Sequence, residues 1–293
     1  MKIVPGPAST DLGLKISQLL GTKPVLMEYK RFPDGEFYIR FAEEVKGEDV
    51  VIVQTTGPPQ DSNLLQLLLL TDTAKDLGAK SIIAVVPYVA YGRQEKRYMP
   101  GETVSFDTVL KLIRSVDVDY IITVNFHSPD MLESLGKYFT NLSAMPSLAN
   151  YMLRYKLNGA FSLAPDDGAI EFVKVTSKIL KGDYGWLEKK RDRVTGGISV
   201  ELKALNVKGK DVVIFDDMIS SGSTMITAVK ILKEQGARRI YAACVHPLLV
   251  GDAKEKLMRE GILEIIGTDS VPSSVSVVSV APLVAEALKR WRA

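Results

Sequence analysis

The sequence predicts an α/β protein made of two similar domains, each a mostly parallel β-sheet flanked by helices. Three observations lead to this prediction. Short apolar, β-branched runs alternate with longer helical patterns along most of the chain. A segment of the first half is echoed in the second half. The length of 293 residues suits two domains that each bury a core of their own.

The strand candidates are short and rich in β-branched residues. They are Val50–Gln54, Ser81–Pro87, Tyr120–Asn125, Ala160–Ala164, Val212–Phe215, Arg239–Val245 and Leu263–Thr268. The helix candidates between them are Leu64–Leu77, Phe106–Ser115, Ser147–Tyr155, Ala169–Leu180 and Met225–Gln235. Because neighbouring parallel strands need a long crossover between them, this alternation favours βαβ units with helices on both faces of a sheet.

The internal echo suggests that the two domains arose by duplication. Glu48–Val53 resembles Lys210–Phe215, and each is followed by a helix that ends in Gly-Ala and a basic residue, at Gly78–Lys80 and Gly236–Arg238. Chance is the alternative, since Gly-Ala-Lys/Arg is a common way for a helix to end. Neither a helix nor a strand is indicated near Ser143–Pro146. We therefore place the domain boundary there, which gives predicted domains at residues 1–145 and 146–293.

Composition narrows the class of protein. The chain is 46% apolar and 25% charged, as expected for a globular protein, and its 37 basic and 35 acidic residues leave a net charge of +2. This balance gives no basic surface for nucleic acid. No apolar run approaches the roughly 20 residues needed to span a bilayer, and the first ten residues are unlike a signal peptide. The single cysteine, Cys244, cannot form an intrachain disulfide, so a cytoplasmic protein without membrane or nucleic-acid partners is expected.

The strongest local signal follows the apolar strand at Val212. Two carboxylates, Asp216 and Asp217, come where α/β sheets bind ligands, at the carboxyl end of a strand. Ser220–Thr224 then offers hydroxyl groups and unhindered backbone N–H groups at the start of a helix, an arrangement that suits a phosphate monoester. Serine and aspartate are also ordinary N-caps, which would account for one or two of these residues but not for all of them.

This pattern is the signature of the phosphoribosyltransferase fold. The resemblance implies that Asp216 and Asp217 bind ribose hydroxyls. It also implies that the 5-phosphate is held by Ser220, Ser221, Gly222, Ser223 and Thr224. The matching stretch of the first half, Thr55–Asn63, contains Pro58 and Pro59 and lacks the run of hydroxyl residues. Only the second domain is therefore expected to carry a phosphate loop.

Five further motifs resemble, in order and position, those of the ribose-phosphate diphosphokinases. They are Arg31–Glu36, Pro87–Glu95, Asn125–His127, Ala164–Asp166 and Glu188–Arg191. The resemblance covers essentially the whole chain. It implies synthesis of phosphoribosyl diphosphate from ATP and ribose 5-phosphate with Mg²⁺, release of AMP, and a role in nucleotide biosynthesis.

The resemblance also assigns residues. The ATP-binding residues would be Phe32, Asp34, Gly35, Glu36, Arg93 and Gln94. An aromatic face can stack on adenine, and arginine can grip phosphate oxygens at two points. Without the family, a plain surface turn at Pro33–Gly35 and solvated loop charges would explain these segments equally well.

The metal ligands would be His127 and Asp166, which come from different predicted domains. Taken alone, a histidine after a strand is more often structural. The chain departs from its relatives in two places: Asn125 and Ser220 each stand where relatives usually have aspartate. The amide of Asn125 weakens direct Mg²⁺ ligation at that position.

The catalytic residues would be Lys189 and Arg191, within a glycine-rich, basic segment at Gly182–Val200. The resemblance implies that this segment is a flap whose cations close over the transferring diphosphoryl group, with Arg191 also close to ribose 5-phosphate. A solvated charge run on a hairpin is the ordinary alternative.

Three other functions compete with this assignment. A purine or pyrimidine phosphoribosyltransferase would explain the loop at Asp216–Thr224 but not the Arg93-Gln94 motif. A non-catalytic regulatory paralogue would be expected to have lost its flap or metal residues, which are present here. A transcription regulator would need a helix-turn-helix or a basic face, and the sequence suggests neither. The resemblance further implies a homo-oligomer, at least a dimer, in which the hairpin residues reach into a neighbour's nucleotide site.

Overall fold

The structure of the chain, a computed structural model, describes residues 1–127, 138–191, 198–201 and 205–292. Of residues 189–191, 198–201 and 292 it describes the backbone alone. The chain divides into two compact units. The first comprises Met1–Ser143, Ser270–Pro272 and Ser279–Ala293, and the second comprises Ala144–Asp269 and Ser273–Val278. The C-terminal helix thus belongs to the first compact unit, whereas the sequence-based division at 1–145 and 146–293 stays a prediction about functional domains.

The first unit is built on a five-stranded sheet. Its elements are β1 (Lys2–Pro5), α1 (Thr10–Leu19), β2 (Met27–Arg31), β3 (Phe37–Phe41), β4 (Asp49–Val53), α2 (Gln60–Asp76), β5 (Ser81–Val85), α3 (Ser105–Ser115), β6 (Tyr120–Val124) and β7 (Phe139–Leu142). The sheet order is β1-β4-β5-β6-β7, with every neighbouring pair parallel. Strands β2 and β3 form a separate antiparallel hairpin.

The second unit contains a six-stranded sheet. Its elements are α4 (Met145–Met152), β8 (Phe161–Ala164), α5 (Ile170–Leu180), β9 (Tyr184–Trp186), β10 (Glu188–Arg191), β11 (Ile198–Glu201), β12 (Asp211–Ile219), α6 (Ser223–Glu234), β13 (Arg239–Pro247), α7 (Ala253–Glu260), β14 (Ile262–Thr268) and β15 (Ser276–Val278). The order is β15-β14-β13-β12-β8-β9, again parallel throughout, while β10 and β11 pair as an antiparallel ribbon. The last helix, α8 (Ala281–Arg292), packs against α1 in the first unit.

Burial explains why these segments form strands. The central residues of β4 and β12, such as Val51 and Ile214, are completely buried, as expected for parallel strands covered by helices on both faces. Each unit has its own apolar cluster, in which helices α2 and α3 pack on the first sheet and α6 on the second. The predicted α/β fold with mostly parallel sheets is confirmed.

The two units repeat one local geometry in detail. In the first, the amide of Gly47 donates to the carbonyl of Gly78 at 2.8 Å; in the second, the amide of Gly209 donates to Gly236, also at 2.8 Å. Gly78 and Gly236 end their helices with φ of 83° and 79°, in the left-handed region that favours glycine. The same donor–acceptor pattern at corresponding positions supports the duplication that the sequence echo predicted.

Two predicted boundaries move by four residues. Strand β12 continues to Ile219, beyond its predicted end at Phe215, so Asp216 and Asp217 lie within the strand, and Asp216 lies opposite Cys244 of β13. Helix α2 begins at Gln60 instead of Leu64. Within the described residues, no helix is both long and apolar enough to cross a membrane.

Candidate active site

Three carboxylates gather at one edge of the second sheet. Strands β8 and β12 are neighbours, with Leu163 opposite Ile214. Asp166 follows β8 directly, and Asp216 and Asp217 lie near the carboxyl end of β12. Because the carboxyl ends of parallel strands share an edge, the topology brings these side chains together. The order of the sequence alone did not give this grouping, since residues 166 and 216 are 50 positions apart.

The closeness of these carboxylates has an electrostatic consequence. Burial, together with the negative charges of Asp217 and Asp166, raises the pKa of Asp216 well above its usual range. The Asp216 carboxylate accepts a hydrogen bond of 2.9 Å from the backbone amide of Asp217. Asp166 accepts a hydrogen bond of 3.2 Å from the backbone amide of Gly168 and so caps the short 3-10 helix Asp167–Ala169. The edge is thus short of positive charge and would gain from a cation or from hydroxyl donors.

The loop Ser220–Thr224 leads directly from β12 into α6. Gly222 precedes the helix with φ of 78°, and Ser221 and Ser223 on either side of it are exposed, with their hydroxyl oxygens 3.3 Å apart. The carbonyl of Ser220 accepts a hydrogen bond from Val250 at 3.1 Å. The first N–H groups of α6 have no partner within the helix, so the loop presents donors and a favourable helix dipole to an anion.

Packing adds to the preference for glycine at residue 222. A Cβ at Gly222 would lie 3.1 Å from the side chain of Leu257, which is completely buried in α7. The sequence suggested glycine here for close approach to phosphate, but gave no sign of Leu257. No sequence pattern marks this contact, because it depends on how α7 packs beside the loop.

In the first unit, the predicted adenine-binding residues sit on the turn of the β2–β3 hairpin. The amide of Gly35 donates to the carbonyl of Phe32 at 2.9 Å, and the amide of Glu36 donates to the Asp34 carboxylate at 3.2 Å. Phe32 is 39% exposed and contacts Tyr38 edge to face. The structure therefore brings Phe32, Asp34 and Glu36 together, with an aromatic surface available to a planar ligand.

Arg93 and Gln94 lie on an exposed turn after β5. The segment that leads to them is fixed by Thr56, whose hydroxyl donates to the carbonyl of Tyr88 at 2.9 Å and accepts from the amide of Ala90 at 2.7 Å. The turn itself closes through a 2.9 Å bond from the amide of Gln94 to the carbonyl of Tyr91. Both predicted side chains are solvent-exposed at the end of a buried strand.

His127 follows β6 and is exposed, next to the buried Phe126, which stacks on Phe106 with ring centroids 4.6 Å apart. Asn125 is buried, with φ of 40°, and its backbone amide donates a hydrogen bond of 2.8 Å to the carbonyl of Leu142. His127 belongs to the first unit, and its predicted partner Asp166 to the second. Among the described residues, no three His, Cys, Asp or Glu side chains are grouped as ligands for a metal ion.

Lys189 and Arg191 lie on β10, opposite Val200 and Ile198 of β11. The positions of their side chains, and residues 192–197 of the predicted flap, lie outside what the structure describes. The antiparallel pairing of β10 with β11 is compatible with the predicted flap and also with its alternative, a solvated hairpin. The roles of the two cations stay predictions.

Known families match the chain along most of its length. Residues 1–116 match the family described as the N-terminal domain of ribose phosphate pyrophosphokinase, and residues 151–280 match the phosphoribosyl transferase domain. Since the N-terminal half has a match of its own, the similarity is not confined to the part shared with phosphoribosyltransferases.

Individual proteins agree with the families. The ribose-phosphate pyrophosphokinase of Methanosarcina acetivorans is 40% identical over 291 residues, covering 99% of this chain and 100% of that protein. The enzyme of the same name from Sulfurisphaera tokodaii is 38% identical over 289 residues, covering 97% and 99%. The crystal structure of phosphoribosylpyrophosphate synthetase from Mycobacterium smegmatis matches with a TM-score of 0.88 at 26% identity, covering 100% of this chain and 98% of that one.

Proposed function

The chain belongs to the ribose-phosphate pyrophosphokinase family of transferases, and from that premise we propose that it transfers the diphosphoryl group of ATP to the 1-hydroxyl of ribose 5-phosphate, releasing AMP. One observation carries the proposal: buried carboxylates and a glycine–hydroxyl loop occupy the same strand end, ahead of the N-terminus of α6. This juxtaposition suits a phosphorylated sugar, because it offers acceptors to ribose hydroxyls and donors to a phosphate.

Ribose 5-phosphate would bind at the carboxyl end of β12. Its 5-phosphate would accept hydrogen bonds from backbone N–H groups and hydroxyls of Ser220–Thr224. Because Gly222 has no side chain, the phosphate can approach the backbone of this loop closely. Its ring hydroxyls would donate to Asp216 and Asp217. Such donation favours the ionised carboxylate and would lower the pKa of Asp216 from the raised value that burial gives it.

ATP would bind through residues of the first unit's motifs. Phe32 offers a face for adenine, and Asp34 and Glu36 offer acceptors for its exocyclic amine. Arg93 and Gln94, on the exposed turn after β5, would contact the phosphate chain and the nucleoside. The family resemblance, together with the exposure of these side chains on ordered turns, supports this placement.

The transfer itself needs positioning and charge neutralisation. The oxygen of the 1-hydroxyl bonds to the β-phosphorus, and its proton is released. The bond between that phosphorus and the oxygen bridging to the α-phosphate breaks, so AMP leaves with the bridging oxygen. Lys189 and Arg191 would neutralise charge that develops on the transferring group, an effect typically worth on the order of 10²–10³ in rate for one donor.

Mg²⁺ is the expected cofactor, and the residues at the β8–β12 edge fit it. Mg²⁺ in phosphoryl-transfer sites takes one or two carboxylates together with substrate phosphates and water, and the edge carries the carboxyl groups of Asp166, Asp216 and Asp217. Asp166 would hold the ion, and the second ligand that the resemblance implies, His127, stays a prediction. The ion would supply neutralisation of the phosphate oxygens of ATP.

We further infer a cytoplasmic homo-oligomer, at least a dimer, whose product serves nucleotide biosynthesis. The inference rests on the family and on the aromatic turn of the β2–β3 hairpin, with Phe32 and Tyr29 exposed. An exposed hairpin that carries nucleotide-binding groups is suited to a neighbour's site in a symmetric assembly.

The proposal is tested by omission. Purified protein with ATP and Mg²⁺ should release AMP only when ribose 5-phosphate is added. AMP release that does not depend on ribose 5-phosphate, or no release at all in its presence, would contradict the proposed reaction. A phosphoribosyltransferase would instead consume phosphoribosyl diphosphate when given a free base, without any need for ATP.

A further inference from the structure

The first turn of α2 contacts both segments that the proposed function assigns to ATP. Arg31, at the base of the hairpin turn, donates a hydrogen bond from its guanidinium to the hydroxyl of Ser62. The phenol of Tyr91, at the start of the Arg93 turn, donates to the carboxylate of Asp61. Asp61 and Ser62 are consecutive residues of Thr55–Asn63, the first-half counterpart of the phosphate loop, and neither of them was assigned a role from the sequence. Two distant nucleotide-binding segments are thus tied to one helical turn.

On the hairpin side, the tie is backed by a buried polar network. The amide nitrogen of Gln66 donates to the Ser62 hydroxyl at 3.3 Å, and the amide nitrogen of Gln54 donates to Gln66 at 3.2 Å. Gln54 and Gln66 are both buried, so these bonds satisfy groups that would be costly to leave unpaired. Arg31 also donates to the carbonyl of Gly35 at 2.7 Å. One arginine therefore connects the turn of the hairpin to a rigid interior.

On the other side, Tyr91 holds an unfavourable backbone conformation. Its φ of 65° lies in the left-handed region, which bulky side chains avoid. The hydrogen bond to Asp61 helps to hold this conformation, and with it the turn that Gln94 closes onto the Tyr91 carbonyl. The hydrogen bond to the Asp61 carboxylate raises the pKa of Tyr91 above its ordinary value, as expected for a phenol that donates to an anion.

We propose that Asp61 and Ser62 are positioning residues for the nucleotide: Asp61 orients the turn that carries Arg93 and Gln94, and Ser62 orients the hairpin turn. This inference rests on the proposed function, in that it takes both segments to bind ATP. It also gives a role to the first-unit counterpart of the phosphate loop, Thr55–Asn63. In the second unit we assign the corresponding stretch to the sugar phosphate. In the first unit it would instead hold the two turns of the nucleotide site in position.

The test measures nucleotide affinity directly, without relying on turnover. The probe is α,β-methylene ATP, which cannot react at the α–β bridge, titrated by calorimetry into the full-length protein with Mg²⁺. Asp61→Ala and Tyr91→Phe should each raise the Kd by about 5- to 10-fold, the usual range for losing a hydrogen bond to a charged group at a partly exposed site. The double variant should be no weaker than either single variant, because both remove the same bond.

Three controls separate positioning from general damage. Asp72→Ala removes a carboxylate from the exposed face of the same helix and should leave the Kd unchanged. Asp61→Asn keeps an acceptor oxygen and should stay within about twofold of wild type, whereas a purely structural role for the charge would not be rescued. Ser62→Ala should raise the Kd for α,β-methylene ATP, and Ser62→Thr, which keeps a hydroxyl group, should have the Kd of the wild type. In each case the Kd for ribose 5-phosphate should not change.

Each outcome decides the matter. Unchanged Kd for the probe in Asp61→Ala and Tyr91→Phe overturns the inference, as does an equal loss of affinity for ribose 5-phosphate. Additive losses in the double variant would show that the two residues act separately, which also overturns it. Failure of the proposed function would give a different result: the wild type would bind the probe, yet it would form no AMP from ATP and ribose 5-phosphate. A wild type that binds no probe would overturn both.

Discussion

Gly222 links the backbone of the phosphate loop to the packing of the second unit. Its φ of 78° and its distance from Leu257 leave no comfortable place for a Cβ. We predict that Gly222→Ala raises the KM for ribose 5-phosphate by roughly tenfold, since a displaced loop loses at least one charge-assisted bond to phosphate. The KM for ATP should change much less. Steady-state kinetics with each substrate varied in turn measures both.

A matched control for this variant is Gly209→Ala. Gly209 has a similar φ of 70°, but nothing lies within 4 Å of where its Cβ would be, and it is remote in sequence from the loop. It should carry the same backbone strain without any effect on substrate affinity. Equal changes in both KM values for Gly222→Ala would argue against Ser220–Thr224 as the sugar-phosphate site.

Lys189 tests the catalytic assignment. Lys189→Ala is expected to lower kcat on the order of 10²–10³ and to leave the KM for ribose 5-phosphate nearly unchanged, because a cation that acts on developing charge contributes mainly in the transition state. Lys178→Ala, an exposed lysine on α5, is the control and should keep wild-type turnover. A Lys189→Ala enzyme with half of the wild-type kcat would contradict the role.

At the scale of elements, strand β12 is fixed at its start by an ion-pair cluster. The carboxylate of Asp211, only 8% exposed, accepts from both Arg238 and Arg239 at 2.6–3.0 Å. Because the two arginines are partly exposed, we expect Asp211→Asn to lower the free energy of unfolding by about 2 kcal/mol. Asp183→Asn is the matched control: its exposed pair with Lys210 should be worth less than about 1 kcal/mol. Urea unfolding at neutral pH measures both, and equal stabilities for wild type and Asp211→Asn would contradict the assignment.

The same cluster predicts a pH dependence. Hydrogen bonds from Arg239 and Arg238 hold the pKa of Asp211 well below its ordinary value of 3.8. A depressed carboxylate pKa stabilises the fold fully above the unfolded-state pKa, and that contribution is lost as pH falls through the folded-state pKa. The stability difference between wild type and Asp211→Asn should therefore be constant above about pH 5 and shrink below about pH 4. A difference that grew in acid would contradict this sign.

The sequence predicted the inner strands of both sheets, because parallel strands buried on both faces leave a strong signal, whereas the edge strands β1, β7, β9 and β15 were not among the candidates. For example, the predicted strands Val50–Gln54 and Arg239–Val245 begin within one residue of the observed starts of β4 and β13. Boundaries were less certain where polar residues continue a strand, as Asp216 and Asp217 do in β12. Their carboxylates interrupt the apolar run that defines a strand in sequence, although the backbone goes on pairing with β13.

The site was predictable where residues are close in sequence and not where folding brings them together. The run at Ser220–Thr224 could be proposed as a phosphate loop from the order of its residues after an apolar strand. The proximity of Asp166 to Asp216 depends on β8 lying beside β12 in the sheet, and the tie between Tyr91 and Asp61 spans 30 residues. No local pattern encodes either contact.

For the whole molecule, the repeated hydrogen bonds at Gly47 and Gly209 point to one ancestral unit used twice. The second copy has the hydroxyl-rich loop, and the first carries the motifs that we propose bind the nucleotide. If the hairpin of one chain completes a neighbour's nucleotide site, two differently inactive variants should complement each other. The pair to mix is Asp34→Ala/Glu36→Ala and Lys189→Ala.

In a mixed dimer with shared sites, one site collects both lesions and the other collects none. Random reassortment makes about half of the dimers mixed, so roughly a quarter of wild-type activity should return after the subunits are dissociated and reassembled. Verified subunit exchange with no recovery of activity would reject the shared site, while leaving the proposed reaction untouched.

The central claim is that a diphosphoryl group moves from ATP to the 1-hydroxyl of ribose 5-phosphate, and phosphorus NMR of the reaction mixture tests it most directly. The account predicts that AMP and a sugar 1-diphosphate appear in equal amounts, with the 5-phosphate signal of the sugar retained. Formation of ADP with a singly phosphorylated 1-position would show transfer of the γ-phosphoryl group instead. That result, or AMP accompanied by free pyrophosphate and unchanged sugar, would contradict the account.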